Sequence, residues 1–600
     1  MCGFIAAITF GDPPVSSRLL RGLNQMARRG PDAQGDWQDG EVFLGHRRLA
    51  IIDLEERSAQ PYHSDCGRYV IVFNGEIYNF LALKFELVKK GVRFRTTSDT
   101  EVLLALFMVE GVAMLPRLRG MFAFVVWDRE QHKAFAARDA YGIKPLYVAN
   151  IDHGIMLASQ VKALVATGLV SREPDYVGQA GFWMLGSVPE PHTWFRDIQA
   201  VPAGHFLWVE GGRVVRQQCW FDVGSVWREA AFVDPVHLDE VQVQTQAREA
   251  LLFSVKAHLV ADVPVGVFLS GGIDSTAVAA LMIQQGSRDL RGITLAYDEF
   301  AGMHDDETPI AAQAAQRYGL THHTRRVTQQ EFEGDRERIL SSMDQPSIDG
   351  VNTWYASKAA AECGLKVVVS GVGGDELFFG YSTFLSTPQL VRRRLWLGAI
   401  PGTSRLANAV GHWNAQRTGK GRWRFATEWS RTIEGAWWLS RSIHAPDELP
   451  VLMGPEQAAL GLKHFDVAAM MDSMVGKLAA DPVLAVGQME SMAYMRNQLL
   501  RDSDWASMDH SVELRTPLVD LALLRTLGPM LRSFSQYPGK ALLAQSPALP
   551  LPDLITRRRK TGFGIPLQKW LGTSGSGIEK TGAGWVPWMR TIASHYSSGE

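Results

Sequence analysis

The chain shows two regimes of hydrophobic patterning. Up to about residue 205, short apolar runs are separated by turn residues: F-I-A-A-I-T-F at 4–10, Y-V-I-V-F at 69–73 and G-M-F-A-F-V-V-W-D at 120–128. Continuous apolar runs of this length predict buried strands. Arg29-Gly30-Pro31-Asp32 predicts a turn, and residues 46–53 a β-rich stretch with a basic lead-in. Asn74-Gly75-Glu76 predicts a turn closing the strand at 69–73, since Asn-Gly is the strongest short hairpin signal. Thr97-Ser98-Asp99-Thr100-Glu101 supplies an N-cap for an apolar helix over 102–109. Many strands and few helices in one segment predict a layered α/β sandwich. Residues 205–240 loosen into a polar, glycine-containing connection. Beyond it, apolar strands at 265–269, 292–297 and 365–369 alternate with helices, the first starting near Thr276. That alternation predicts a parallel sheet, whose ligands bind beyond the carboxyl ends of its strands. The expected organisation is a first domain at 2–205, a linker at 206–239, a second α/β domain with a helical C-terminal part at 240–570, and a tail at 571–600.

Composition narrows the function classes. A net charge of −2 and 46% apolar residues give no reason to expect nucleic acid as a partner. The four cysteines form no C-x-x-C pair and no zinc spacing. His322-His323 has no second ligand motif and reads as structural. There is no secretory leader pattern and no run of eighteen apolar residues, so the expectation is a cytoplasmic protein without membrane insertion.

Two places carry chemistry. If Met1 is removed, Cys2 becomes N-terminal and carries both a thiol nucleophile and a free α-amine. That amine titrates near pH ~7.7–8 and can act as the thiol's base. Further on, Ser270-Gly271-Gly272-Ile273-Asp274-Ser275 lies between a strand and a helix. Backbone N–H groups at such a junction cradle phosphates, and the absence of G-K-[ST] separates it from a Walker A loop.

The segments M-C-G, R-R-G-P-D, H-R-R-L-A-I-I-D, F-N-G-E-I-Y-N, S-D-T-E-V-L-L, G-M-F-A-F and R-D-A-Y-G-I-K-P-L-Y resemble, in order, the glutaminase domain of class II (N-terminal-nucleophile) glutamine amidotransferases. The resemblance implies an αββα sandwich with Cys2 as nucleophile. Arg48 would pair the glutamine carboxylate, with Leu49, Ala50, Ile51 and Ile52 beside it in the glutamine-binding segment. Glu76 and Asp99 would face the ammonium group. Asn74 and Gly75 would form the oxyanion hole.

S-G-G-x-D-S resembles the pyrophosphate loop of enzymes that split ATP into AMP and pyrophosphate. Leu295 and the segment Ser370-Gly371-Val372-Gly373-Gly374-Asp375-Glu376 continue that likeness. The implied ATP-binding residues are Leu269, Ser270, Gly271, Gly272, Asp274, Ser275, Leu295, Ser370 and Gly371. Asp274 and Asp375 would converge on Mg²⁺ bound to pyrophosphate. Residues 497–520 resemble the helical segment that closes this site. R-K-T-G-F-G-I-P at 559–566 resembles the family's C-terminal loop, where Lys560 would stabilise charge during adenylation and amide formation.

Taken together, the chain resembles the glutamine-hydrolysing asparagine synthetases. The resemblance implies glutamine, ATP and a carboxylate acceptor as small-molecule substrates, a soluble cytoplasmic enzyme, and internally transferred ammonia; it also allows a homodimer. Two positions depart from the family pattern: Val372 replaces the acid of S-G-E-G, and Gln160 replaces a customary Glu. Three readings therefore stand: asparagine synthesis from aspartate, the same chemistry on another carboxylate such as a uronate sugar of a surface polysaccharide, and a non-catalytic regulator that keeps glutamine or ATP binding. Cys2, Arg48, Asn74, Asp99, Asp274 and Asp375, all present, weigh against the third.

Overall fold

The run that opens the chain becomes the strand Gly3–Thr9, with all seven residues buried. The computed structural model describes residues 2–233, 239–398, 403–463, 465–558, 564–571 and 585–598. Successive side chains of a strand point to opposite faces, and here both faces are covered. Phe4, Ala6 and Ile8 point into a core shared with Val70, Val72, Ala123, Val125 and Trp127 of a second sheet. Ile5 and Ala7 point the other way, against Leu19 and Leu23 of the helix Ser16–Asn24.

Two six-stranded sheets make this sandwich. The first runs Ile198–Ala200, Tyr147–Ile151, Gly154–Ala158, Gly3–Thr9, Val42–Arg48, Ala33–Asp39. The second runs Arg213–Cys219, His205–Glu210, Lys133–Arg138, Gly120–Asp128, Tyr69–Ile77, Tyr62–His63. The helices Phe80–Lys89 and Asp99–Glu110 cover the outer face of the second sheet through Leu83, Leu87, Val102 and Leu106. The result is the expected αββα arrangement.

A third sheet of five parallel strands follows, in the order Thr321–Val327, Arg291–Tyr297, Val265–Phe268, Val367–Val369, Glu513–Arg515. The helix Ile273–Gln284 leaves the carboxyl end of Val265–Phe268. Residues 482–508 form one continuous helical rod, with a wider π-helical segment, Glu490–Leu500, between Pro482–Met489 and Arg501–Met508. The helix Val586–Ser598 buries Trp588, Met589 and Ile592 completely.

Four expectations are corrected. Asn74-Gly75-Glu76 is not a turn: the strand runs on to Ile77, with Asn74 opposite Ala123 and Glu76 opposite Met121. Pairing along the whole length of Gly120–Asp128 outweighs the local turn preference. The β-rich stretch at 46–53 is strand only as far as Arg48; after it the chain is irregular, and Asp53 sits at φ +50°. The first helix of the second half begins at Ile273, not Thr276. The 205–240 connection contains the strands His205–Glu210 and Arg213–Cys219, the first paired to Lys133–Arg138, and the helix Val223–Ala230. Among the described residues no helix is long and apolar enough to cross a membrane.

Candidate active site

Cys2 precedes the strand Gly3–Thr9 at the edge of the sandwich core and is 8% exposed. Its backbone N–H donates to Asn74 Oδ1 at 3.2 Å, and its Sγ lies 4.0 Å from the Leu49 carbonyl oxygen. Burial pushes the thiol pKa up, while the Leu49 contact and the charge of Arg48 pull it down. Asn74 is fully buried, and its Nδ2 has no hydrogen-bond partner. A buried amide N–H₂ without an acceptor is costly, and it lies in the side chain whose other end holds the Cys2 backbone.

Gly75 is required by space: a Cβ there would lie 2.1 Å from the Met121 carbonyl oxygen on the neighbouring strand. Glu76 and Asp99 are both buried. Asp99 Oδ2 accepts the Ile77 N–H at 3.0 Å. Burial raises the Asp99 pKa to about 6, and the Glu513 charge adds to the rise. Glu76 is raised well above the usual carboxylate range by burial and by the charges of Glu513 and Asp99. The charge of Arg515, whose Nη2 lies 3.6 Å from Glu76 Oε2, pulls both values down without overcoming burial.

Arg48, also buried, turns its guanidinium onto the carbonyls of Glu55 (2.9 Å) and Asp53. Leu49, Ala50, Ile51 and Ile52 follow it as a buried irregular segment. The Ala50 N–H donates to Asp32 Oδ2 at 2.7 Å, which fixes that segment. The structure thus brings Cys2, Asn74, Gly75, Glu76 and Asp99 onto adjoining elements, with Arg48–Ile52 leading away from the neighbouring strand.

The second cluster lies at the carboxyl ends of the parallel strands. Ser270 and Ser275 hydroxyls share a 2.8 Å hydrogen bond across the loop, and the Gly272 N–H donates to Ser270 Oγ at 3.2 Å. Leu269 is tied to the next strand by its N–H to Ile293 O at 2.8 Å, close to Leu295. The segment containing Ser370 and Gly371 packs directly onto the first loop. A Cβ on Gly371 would lie 2.8 Å from Asp274 Cβ, and one on Gly374 would lie 2.4 Å from Asp274 Oδ1.

Asp274 and Asp375 are brought together around a residue not foreseen from the sequence. Lys540 Nζ lies 2.8 and 2.7 Å from the two Asp274 oxygens and 2.8 Å from Asp375 Oδ1. A signal was present: Lys540 is the one charged residue between Arg532 and Asp553, which is unusual for a surface lysine. Arg558 also approaches the first loop, with Nη1 3.0 Å from the Cβ position of Gly271 and Nη2 donating to His304 O at 2.7 Å. Lys560 lies outside the described residues.

Behind Asp375, Glu376 is buried and accepts the Tyr381 hydroxyl at 2.9 Å. Burial and the charge of Asp375 raise its pKa to about 8. Val372 is partly buried against the core and brings no charge to this region.

Fold and site together define a class: a glutamine amidotransferase domain joined to an ATP-using synthase domain. Models of the glutamine amidotransferase domain and of asparagine synthase match residues 1–220 and 246–580 respectively. The chain is 29% identical over 586 residues to the glutamine-hydrolysing asparagine synthetase 1 of Bacillus subtilis strain 168, covering 95% of this chain and 88% of the relative. It is 30% identical over 587 residues to synthetase 3 of the same organism, covering 94% and 87%. It is 32% identical over 439 residues to amidase chry2 of Gibberella zeae, covering 68% and 63%. The chain belongs to the glutamine-hydrolysing asparagine synthetase family and is an enzyme of that class.

Proposed function

We propose that this enzyme uses glutamine and ATP to amidate a carboxylate, with aspartate as the first acceptor to test. The observation that carries this reading is the buried Asn74 amide beside Cys2, one end holding the Cys2 backbone and the other without an acceptor. Cys2, with Met1 removed, attacks the glutamine amide carbon. Asn74 Nδ2 and the Gly75 N–H receive the oxyanion, ammonia leaves, and water releases glutamate from the thioester. Arg48 and the segment Leu49–Ile52 hold the carboxylate end of glutamine, and Glu76 and Asp99 hold its ammonium.

In the second half, ATP lies on Leu269–Ser275, Leu295, Ser370 and Gly371. The acceptor carboxylate attacks the α-phosphate and pyrophosphate leaves. Ammonia then attacks the acyl carbon and expels AMP. Asp274 and Asp375 already share one bound cationic group, so their oxygens suit Mg²⁺ carried in with the nucleotide. That ion would neutralise phosphate charge, Mg²⁺ being held typically by one or two carboxylates plus phosphate oxygens. Lys540 and Lys560 would supply further positive charge along the phosphates. A small cavity of about 10 Å³ lined by Arg138, Tyr147, Asp344, Arg501 and Asp504 lies where the two halves meet. The cavity is too small to be a channel; internal passage of ammonia belongs to the proposal because ammonia would protonate in bulk water. We take the amidotransferase unit as 2–205 extended through Cys219, and the synthase unit as 240–570.

A second reading is favoured by Val372. Without a carboxylate at that position, an acceptor other than aspartate, such as a uronate sugar, fits the same chemistry. The deciding experiment measures pyrophosphate release with glutamine and ATP, with and without aspartate. Aspartate-dependent release with asparagine formed establishes the first reading. Glutamate production without aspartate-dependent pyrophosphate rejects it in favour of the second.

A further inference from the structure

The strand Glu513–Arg515 closes one edge of the parallel sheet and carries Arg515, which is fully buried. Its Nη1 donates to the carbonyls of His258 (2.9 Å) and Val260 (2.6 Å), and its Nε donates to Glu513 Oε1 at 2.6 Å. Its Nη2 makes no hydrogen bond. Opposite it, 3.6 Å away, stands Glu76 Oε2, also buried and also without a hydrogen bond. Two complementary groups, a guanidinium and a carboxyl, are thus buried side by side, just beyond hydrogen-bond length. One belongs to the ATP-binding half of the chain and the other to the strand Tyr69–Ile77 beside Cys2. The guanidinium also lies 5.5 Å from the Tyr78 ring, on the same strand's exit.

Charge balance explains the open contact. Glu76, Asp99 and Glu513 all feel the Arg515 guanidinium, and Lys144 adds to the positive charge acting on Glu513 alone of the three. Burial works against the Glu513 charge, yet Arg515 holds its pKa below the usual range. Glu76 is left the weaker claimant. A cation arriving between Glu76 and Asp99 would restore the balance, and glutamine carries one in its α-ammonium group.

We infer that Arg515 is a positioning residue of the glutamine site contributed by the ATP-binding domain: it aims Glu76 at the glutamine ammonium and ties glutamine affinity to the arrangement of the ATP loops. The inference rests on the reading of this site as a glutamine site. The connection to the nucleotide is short. The Ser370 N–H donates to the Arg515 carbonyl at 2.8 Å, and Val369 pairs with Arg515 in the sheet. A shift of Ser370 and Gly371 on nucleotide binding therefore acts on the backbone that carries the guanidinium. His258 and Val260, which hold Nη1, lie just ahead of the strand leading into the Ser270 loop, so both sides of the nucleotide site bear on it.

The test uses the full chain and steady-state glutamine hydrolysis with and without MgATP, comparing wild type, Arg515→Met and Arg515→Lys. Arg515→Met is expected to raise the KM for glutamine by about tenfold or more while kcat changes less than about threefold, the pattern of lost substrate positioning. It is also expected to abolish the change in glutamine KM that MgATP causes in wild type. Arg515→Lys, which keeps the charge but not the fork, should fall between the two. MgATP should still raise the melting temperature of each variant, which a general collapse of the fold would prevent. A glutamine KM in Arg515→Met within about twofold of wild type, or one that still responds to MgATP as wild type does, overturns the inference. If Arg515→Met is insoluble, Arg515→Lys and Glu513→Gln decide by the same criterion. A wild-type protein that does not hydrolyse glutamine removes the reading of the site itself. One that does, with variants indistinguishable from it, removes only the role of Arg515.

Discussion

Arg29 holds Asp504 in a two-pronged ion pair of 2.6 and 3.1 Å that joins the two halves of the chain. Both side chains are buried. The same guanidinium donates through Nε to the Cys2 carbonyl at 3.2 Å. Burial opposes the Asp504 charge, but Arg29 and Lys144 together hold its pKa below the ordinary value. Its stabilisation is therefore full above the unfolded pKa of about 3.9 and is lost as pH falls through the lower folded value. Asp504→Asn breaks a buried pair from one side and should cost roughly 3–5 kcal/mol. Urea unfolding at pH 7 measures this; a variant with the wild-type midpoint would show the pair to be inert.

Asn74→Ala removes the proposed oxyanion donor while leaving the strand intact. Glutaminase kcat should fall by about 10²–10³ with little change in KM. Nucleotide binding, followed as the MgATP-induced rise in melting temperature, should be unaffected. Equal losses in kcat and in nucleotide binding would instead mark Asn74 as a structural residue.

Glutamine should expel protons when it binds. Asp99, with a pKa raised from 3.8 to about 6, is mostly protonated in the empty site below that pH, and Glu76 is raised in the same direction. The α-ammonium of glutamine favours the ionised forms of both. Calorimetry on Cys2→Ala, run in two buffers of different ionisation enthalpy, should show proton release at pH 6. In the ligand-free protein the Asp99 shift acts in the opposite sense. From about pH 4 to about pH 6 the folded form keeps a proton that the unfolded form has released, so stability falls as pH rises through that window. Buffer-independent heats at pH 6 would refute the assignment of these acids to the ammonium.

Lys540 occupies the space between two carboxylates that the proposed chemistry assigns to a divalent cation. Lys540→Met removes the ammonium that now lies between Asp274 and Asp375. The variant should lose stability in the absence of metal and recover it with millimolar Mg²⁺, whereas wild type without nucleotide should respond weakly. Melting temperature against MgCl₂ concentration reads this directly. An equal response in the two proteins would show that Lys540 does not shield the site. Pyrophosphate formation by the variant should be strongly reduced at any Mg²⁺ concentration.

Much of the fold could be read from pattern alone, because strands buried on both faces announce themselves as continuous apolar runs. Residues 120–128 became a strand with the predicted bounds. Ser98, at the predicted cap, accepts the Thr100 N–H at 3.1 Å. The packing of the candidate site was legible where the backbone demands a particular residue, as at Gly371, which leaves room for Asp274. It was not legible where long-range pairing decides. Asn74-Gly75 has the composition of a turn, and only its neighbour Gly120–Asp128 makes it strand. Arg515, Lys540 and Arg29 were missed as site residues for a related reason. Each acts on a group far away in sequence, 439 residues in the case of Arg515 and Glu76, and even where a local signal marks the residue, as at Lys540, it does not name the partner.

The C-terminal helix Val586–Ser598 has a practical consequence for handling the protein. Trp588 approaches Phe332 with ring centroids 6.0 Å apart, and Tyr596 approaches Trp194 at 5.7 Å. The helix is thus pinned to the synthase half near its start and to the amidotransferase half near its end. A shortened chain ending ahead of Val586 would present these aromatic surfaces to water on both halves at once. Such a chain is expected to precipitate or self-associate on expression even though every proposed catalytic group is retained, so trimming to the recognisable domains is the wrong route to a well-behaved sample.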